Sequence, residues 1–366
     1  MPIPTLSRRA LNRTLLERQR LLRRERHDVA ATIDHLVGMQ SQVPAAPFVG
    51  LWTRIEGFDP ADLDRLMLER GMVRTSLMRT TLHLVSAADA LALRPLFAPV
   101  LARAFQSQRA FREGVEGIDR DELLRAGRDL LEAEPLGASE LGRRLAERWP
   151  GRDASALGYA IRFGLPLVQV TPRGLWGSTM APRMTTLEAW LGAEPPTAGD
   201  AAALVLRYLR AFGPATTGDM RTWSWLTGLR QVIEPMRSTL RTFRDESGRE
   251  LLDVPDAPIL TGDEPAPVRF LPEYDNALLS HQDRSRVITK WHIDPVFTRG
   301  ALLVDGFVAG GWSVKRATRA IRLRVELFEA LTADQRDEVA VEADALLAFL
   351  APDAEDRHVE TTRVDA

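Results

Sequence analysis

Short amphipathic helices followed by a two-stranded hairpin recur along this chain, and that order narrows the fold more than any other feature. The spacing predicts a helix over 7–23, capped by Ser7, with Leu11, Leu15 and Leu22 on its apolar side. Arg8, Arg9, Arg13, Arg18 and Arg20 are expected to stay in water. A helix over 28–40 follows, where Val29, Ile33, Leu36 and Val37 keep the i, i+4, i+7, i+8 rhythm of a buried face and Gln40 takes the next inward position. Pro47 suits the first position of the next helix, with Phe48, Leu51, Trp52 and Ile55 inward. Asp59-Pro60 opens another that Gly71 ends, and residues 72–77 and 81–85 read as two strands. Three helices and a hairpin are the order of a winged helix-turn-helix.

The order returns twice. After a long helix near 86–110, helices are expected over 120–132, after Gly137-Ala138-Ser139, and from Asp153 or Ser155, with a hairpin of 167–170 and 175–178 turning at Thr171-Pro172-Arg173-Gly174. Residues 192–199 read as a linker. A third set comprises 200–211, a helix beyond Phe212-Gly213-Pro214-Ala215-Thr216-Thr217, and 229–239. From about 240 the chain changes to short β-like runs. A last helix over 333–350 starts in the capping box Thr332-Ala333-Asp334-Gln335 and turns Val339, Ala343, Leu346, Leu347 and Leu350 inward. The expected fold is α+β, mostly α. Three tandem winged helix-turn-helix modules occupy 1–115 (with an N-terminal helix), 116–192 and 193–256. A β-rich domain with a C-terminal helix fills 257–352, and 353–366 is a flexible tail.

Composition excludes several classes of function. With no cysteine among 366 residues, disulfides, thiolate catalysis and cysteine zinc sites are ruled out. No run reaches membrane-span length and the N-terminus lacks a secretory apolar core, so a cytoplasmic protein is the simplest reading. Net charge is −2, so any nucleic-acid surface must be a local patch. Lys290 and Lys315 are the only lysines; every other cationic side chain of this kind is arginine, whose planar fork suits phosphate, although biased base composition gives the same pattern. The sequence contains no Gly-x-Gly-x-x-Gly, P-loop or Gly-x-Ser-x-Gly motif. No pair of its six histidines has metal-ligand spacing; His281 and His292 lie in an irregular segment.

Three polar stretches stand out. Gly38-Met39-Gln40-Ser41-Gln42-Val43-Pro44 puts two amides at the end of an apolar stripe, where they either tie off a helix end or hold a ligand. Phe270-Leu271-Pro272-Glu273-Tyr274-Asp275-Asn276, with Ser280-His281-Gln282-Asp283-Arg284-Ser285-Arg286, is either a phosphate-contacting loop or a salt-bridged surface. Residues 306–316 read as strand, glycine turn and strand, ending in Trp312, Lys315 and Arg316. Such a hairpin suits a nucleic-acid groove, unless Trp312 is core.

These blocks, together with Leu51-Trp52-Thr53-Arg54, Arg79-Thr80-Thr81-Leu82-His83-Leu84 and Phe212-Gly213-Pro214-Ala215-Thr216, resemble the winged-helix DNA glycosylases of the AlkZ/YcaQ type from about residue 10 to about 350. The resemblance implies three winged helices and a β-domain curved as a clamp around DNA. It also implies a catalytic Gln-Φ-Gln or Gln-Φ-Asp motif with Φ aliphatic. Gln40 and Gln42 match both amides, whereas Ser41 departs from Φ. By the same resemblance the DNA-binding residues are Arg79, Thr80, His83, Asp275, Asn276, His281, Arg284, Arg286, Trp312, Lys315 and Arg316.

The chemistry suits an amide pair. A purine alkylated at N3 or N7 is cationic and already a good leaving group, so the enzyme positions water and tolerates charge on an oxocarbenium-like sugar. The expected activity is monofunctional hydrolysis of cationic N3/N7-alkylpurines, extending to interstrand crosslinks. No lysine nucleophile means no Schiff base. The partner is double-stranded DNA carrying alkylated bases, bound by a monomer without cofactor or metal, cytoplasmic and nucleoid-associated. The competing expectation is a winged-helix DNA-binding protein or regulator without chemistry.

Overall fold

The computed structural model describes residues 3–289, 299–317 and 319–363. His292 and Lys290 lie outside them.

The first unit follows from its caps. Ser7 accepts from the Ala10 amide and starts the helix Arg8–Arg18. Asp28 caps Val29–His35, and Asp59 caps Pro60–Leu68. The helix expected to run to Gln40 stops at His35. Val37 (φ 55°) and Gly38 (φ 88°) turn left-handed, and a Cβ at Gly38 would sit 2.5 Å from Val85 Cγ1. Beyond this turn Met39–Gln40 form a strand, so Gln40 sits on a sheet rather than a helix.

In chain order the strands are β1 (Thr5–Leu6), β2 (Met39–Gln40), β3 (Met72–Ser76), β4 (Leu82–Ser86), β5 (Leu167–Gln169), β6 (Met184–Thr186), β7 (Arg241–Asp245), β8 (Glu250–Asp253), β9 (Arg269–Leu271), β10 (Gly300–Val304), β11 (Phe307–Arg316), β12 (Ala320–Leu327) and β13 (Asp356–Arg363). They make three sheets, ordered β2-β4-β3-β5-β6, β1-β7-β8 and β13-β12-β11-β10-β9. The first and second hairpins therefore share one sheet, with Arg74 opposite Gln169 and Thr75 opposite Val168. In the second unit, after Arg120–Ala133, Ala138–Arg148 and Ala154–Gly164, β5 pairs with β6 and not with 175–178. The third has Ala201–Phe212, Thr217–Ser224 behind a Thr216 capping box, and Leu229–Ile233, which gives way to a 3-10 turn Glu234–Thr239.

Three expectations change in the C-terminal sheet. The hairpin turn falls at Asp305-Gly306 (φ 48° and 79°), a pair that matches the right-handed twist of the strands it joins. β11 then runs unbroken through Gly310-Gly311. Trp312 is core: it is 5% exposed, meets Phe270 edge-on and donates Nε1–H to the Leu271 carbonyl oxygen. The stretch expected as a flexible tail forms β13, parallel to β12 from Ala320–Asp356 to Leu327–Arg363 in register. Residues 364–366 lie outside the described ones. The last helix, Ala333–Leu350, buries the five expected residues against this sheet.

The wet arginines of the first helix are also corrected. Arg13 and Arg18 are buried, Arg13 on Asp305 and Arg18 on both oxygens of Asp253 at 2.7 Å. Arg8 and Arg9 remain exposed, and Arg20 is half-buried on Thr32. The first helix is thus clamped to segments more than 230 residues away.

Candidate active site and nucleic-acid interface

The shared sheet carries the two amides. Along the extended chain Gln40 and Gln42 face one side and Ser41 the other. Met39 pairs with Leu84 and Gln40 with His83, and the Ser41 amide continues the ladder to the Leu82 carbonyl. Gln40 is 8% exposed and lines a small pocket with Gly38, Met39, Pro272, Glu273, Asp275 and Asn276. Gln42 lies outside that lining and is exposed, with its Oε1 accepting from the Leu82 amide at 3.4 Å.

Gln40 is held by Arg79. The Arg79 guanidinium donates to Gln40 Oε1 at 2.9 Å, to Asn276 Oδ1 at 3.0 Å and to the Trp223 carbonyl oxygen at 2.7 Å. Asn276 donates in turn to the Gly38 carbonyl oxygen at 3.1 Å. An arginine has no acceptor, so these bonds fix which end of each amide faces it. The Gln40 carbonyl is engaged, and its amide nitrogen is the group left for the pocket.

Arg79 reaches this position through unusual backbone. Arg79 (φ 54°) and Thr80 (φ 59°) are both left-handed, a conformation that costs of order 1–3 kcal/mol per non-glycine residue. Bonds from the Thr80 amide to Leu77 and between Leu77 and Thr81 hold the turn. Burial and the nearby Arg284 lower Arg79 to about 10, so it stays protonated at neutral pH.

The opposite wall is built on a buried ion pair. Arg54 and Asp275 are 1% and 3% exposed in their side chains and meet bidentately at 2.8 and 2.9 Å. Asp275 also caps the short helix Asn276–Leu279, while Arg54 reaches the carbonyl oxygens of Gln19 and Gly50. Between Pro272 and this pair stands Glu273, half-buried and with its carboxyl raised by desolvation.

Ser41 has its own partner. It is fully buried, and Arg74 donates Nε–H to its hydroxyl at 2.8 Å and from Nη2 to its carbonyl oxygen at 2.7 Å. An aliphatic residue at 41 has no side-chain acceptor for this arginine. Arg74 is pushed down to about 10 by burial and by Arg173, and its Nη1 has no partner among the described residues.

The remaining expected DNA contacts divide sharply. His83 is fully buried opposite Gln40 in the ladder, with Nδ1 on the Thr81 carbonyl, and burial lowers it to about 3. His281, also lowered to about 3 by burial, bonds Ser280 and the Phe212 carbonyl, while Arg286 is buried on the Pro214 carbonyl. These three and Trp312 are buried, which is at odds with the expectation of direct DNA contact; His83 Nε2 has no partner among the described residues. Thr80 and Arg284 are half-buried and lie outside the pocket lining. Lys315 and Arg316 are exposed. Cross-strand register sets Lys315 beside Arg322 and Arg322 beside His358, an exposed basic row across three strands. Arg322 and His358 were not anticipated; the alternation of Arg322 and Arg324 with Ile321, Leu323 and Val325 is the signal that marks an outward face. Among the described residues no group of three or more His, Asp or Glu is placed to hold a metal ion, and no helix is long and apolar enough to cross a membrane.

The sequence profile of the DNA glycosylase AlkZ-like family matches residues 33–349, which span the pocket, the shared sheet and the basic row's first two strands. The chain belongs to the AlkZ-like DNA glycosylase family. Its fold is similar to that of the Streptomyces sahachiroi DNA glycosylase AlkZ, with a TM-score of 0.69 at 22% identity over 98% of this chain and 100% of that one. No curated protein sequence matches. The fold class is thus mixed α+β, as expected.

Proposed function

We propose that this AlkZ-like protein is a monofunctional DNA glycosylase that hydrolyses the N-glycosidic bond of cationic N3- or N7-alkylpurines, and that crosslinked purines belong to the same substrate class. The observation that carries the reading is Gln40, held through its carbonyl by Arg79 at the wall of a pocket, while Arg79 is itself fixed by Asn276 and the Trp223 carbonyl oxygen. An amide anchored to a fixed guanidinium is pre-organised, and a fixed dipole acts on the reaction without reorganising during it. The free amide nitrogen of Gln40 donates, the carbonyl of exposed Gln42 accepts, and a water between them is aimed at the anomeric carbon. Gln40 and Gln42 are the catalytic residues in this reading, and Arg79 is a positioning residue.

In the same reading the three helix-plus-hairpin units act as winged helices. Units 1–115, 116–192 and 193–256, with the β-rich region 257–352, curve as a clamp around duplex DNA. Lys315, Arg316, Arg322 and His358 supply phosphate contacts on the outer sheet face, and the protein acts as a monomer on chromosomal DNA.

Single-turnover release of N7-methylguanine and N3-methyladenine from a defined duplex tests this. Wild type releases base without strand cleavage. Gln40→Ala and Gln42→Ala are expected to lose about 100-fold or more. Arg79→Ala is expected to lower the rate constant by about 10- to 100-fold with DNA affinity retained, and Arg79→Lys to recover part of it. Binding without release from any alkylated duplex points instead to a non-catalytic DNA-binding protein.

A further inference from the structure

The pocket beside Gln40 contains several oxygen acceptors, and nearly all of them are occupied. Gln40 Oε1 and Asn276 Oδ1 both receive Arg79. Asp275 spends one oxygen on Arg54 and the other on Arg54 and the Ala277 amide. Gln19 keeps an unpartnered carbonyl oxygen, but it is neutral and fully buried. Glu273 is different: it lines the same pocket, is half-buried, and has no ion pair among the described residues, its own backbone amide being the one donor that favours its charge. A carboxylate left without a cation in a partly desolvated wall is costly, and such placement marks groups whose charge is used.

We propose that Glu273 is the proton acceptor of the site. The proposal rests on the glycosylase reading above and completes it, because two neutral amides orient water but cannot take its proton. Water oxygen forms a bond to C1′ of the flipped or exposed nucleotide as the C1′–N bond breaks. The bonding pair leaves with the purine, which departs neutral because it began as a cation. The water proton passes to the Glu273 carboxylate and then to solvent, so charge and atoms balance without any other reactant.

The neighbours of Glu273 support a single titrating carboxylate. From the segment Leu36–Gln40 the pocket receives only neutral groups, and from the first helix's end only Gln19. From beyond the helix Ala46–Trp52 comes Arg54, already committed to Asp275 on Glu273's own loop. Arg79 lies behind Gln40 and Asn276, committed to both. Desolvation is the leading influence on Glu273 and raises its carboxyl above the usual carboxylate range, about 4.3.

The test is single-turnover base release against pH, with thermal unfolding and DNA affinity measured on the same samples. In wild type the rate constant is expected to fall at acid pH, because protonating Glu273 removes the acceptor, with a midpoint above about 4.3. Glu273→Gln, nearly isosteric, is expected to lose about 100-fold in rate, to lose the acid limb, and to keep its melting temperature and DNA affinity. Glu273→Asp is expected to restore part of the rate and the limb. A Glu273→Gln enzyme that releases base at the wild-type rate with the same acid limb overturns the proposal, as does a wild type with no acid limb. If Gln40→Ala abolishes release while Glu273→Gln does not, the glycosylase reading survives and only the role of Glu273 falls. If wild type releases nothing, both fall.

Discussion

Arg54, Arg74 and Arg79 surround the Gln40 sheet, whereas Lys315, Arg322 and Arg324 stand on the outer sheet formed by β9 to β13. Apart from Arg74 Nη1, which has no partner among the described residues, the inner arginines donate to carbonyls, amide oxygens, the Ser41 hydroxyl and one carboxylate of the protein itself. The outer cations sit on the polar side of strands whose alternate residues fill the core against the last helix. Guanidinium chemistry is the same in both places, but surroundings decide its use. Inside, where water is scarce, each donor must find a fixed acceptor, so the arginine becomes a bracket for other side chains. Outside, solvation leaves the charge available to a polyanion. Only the second kind reports on nucleic-acid affinity.

The strongest way to break this contrast is to remove an internal partner. Asp275→Ala leaves Arg54 charged and 1% exposed; the expected loss is about 3–5 kcal/mol in denaturant unfolding, since the surviving ion is buried without its pair. A loss below about 1 kcal/mol means that the pair is not a structural bracket. A smaller effect is expected at Ser41. Ser41→Val takes the hydroxyl from Arg74 Nε and should destabilise by about 1–3 kcal/mol, and pairing it with Arg74→Leu should recover much of that, which a double-mutant cycle measures. Additivity in that cycle refutes the coupling. The smallest effect on stability belongs to the outer row. Lys315→Ala and Arg322→Ala should each change unfolding by under about 0.5 kcal/mol and leave base release intact. Each should reduce the slope of log affinity against log salt by about 1 if it contacts a phosphate.

Local chemistry was legible where the cause is local. The caps at Ser7, Asp59, Thr216 and Thr332 needed only neighbouring amides, and the inward face of the last helix followed from its period. Gln40 was correctly singled out as inward, but its element was misread. A periodic apolar stripe does not register that Val37 and Gly38 turn left-handed. Arg13 and Arg18 looked wet because their carboxylates, Asp305 and Asp253, come from the far end of the chain. His281 and Trp312 share that difficulty: a polar or aromatic residue in a polar-looking stretch turns out to satisfy a distant backbone carbonyl inside the core. Ser41 is intelligible only beside Arg74, which sits on a different strand. Glu273 could not be weighed until the acceptors around it were seen to be taken.

The strand Asp356–Arg363 has a bearing on how the protein is handled. It lies along the outer margin of its sheet, bonded in parallel to β12 over eight residues, and contributes His358 to the basic row. Cutting the chain after Pro352 to trim what looks like a loose end would bare the backbone amides and carbonyls of β12. An uncovered strand of that length is a template for another copy to add to. Shortened versions would then self-associate through the very margin that this strand covers.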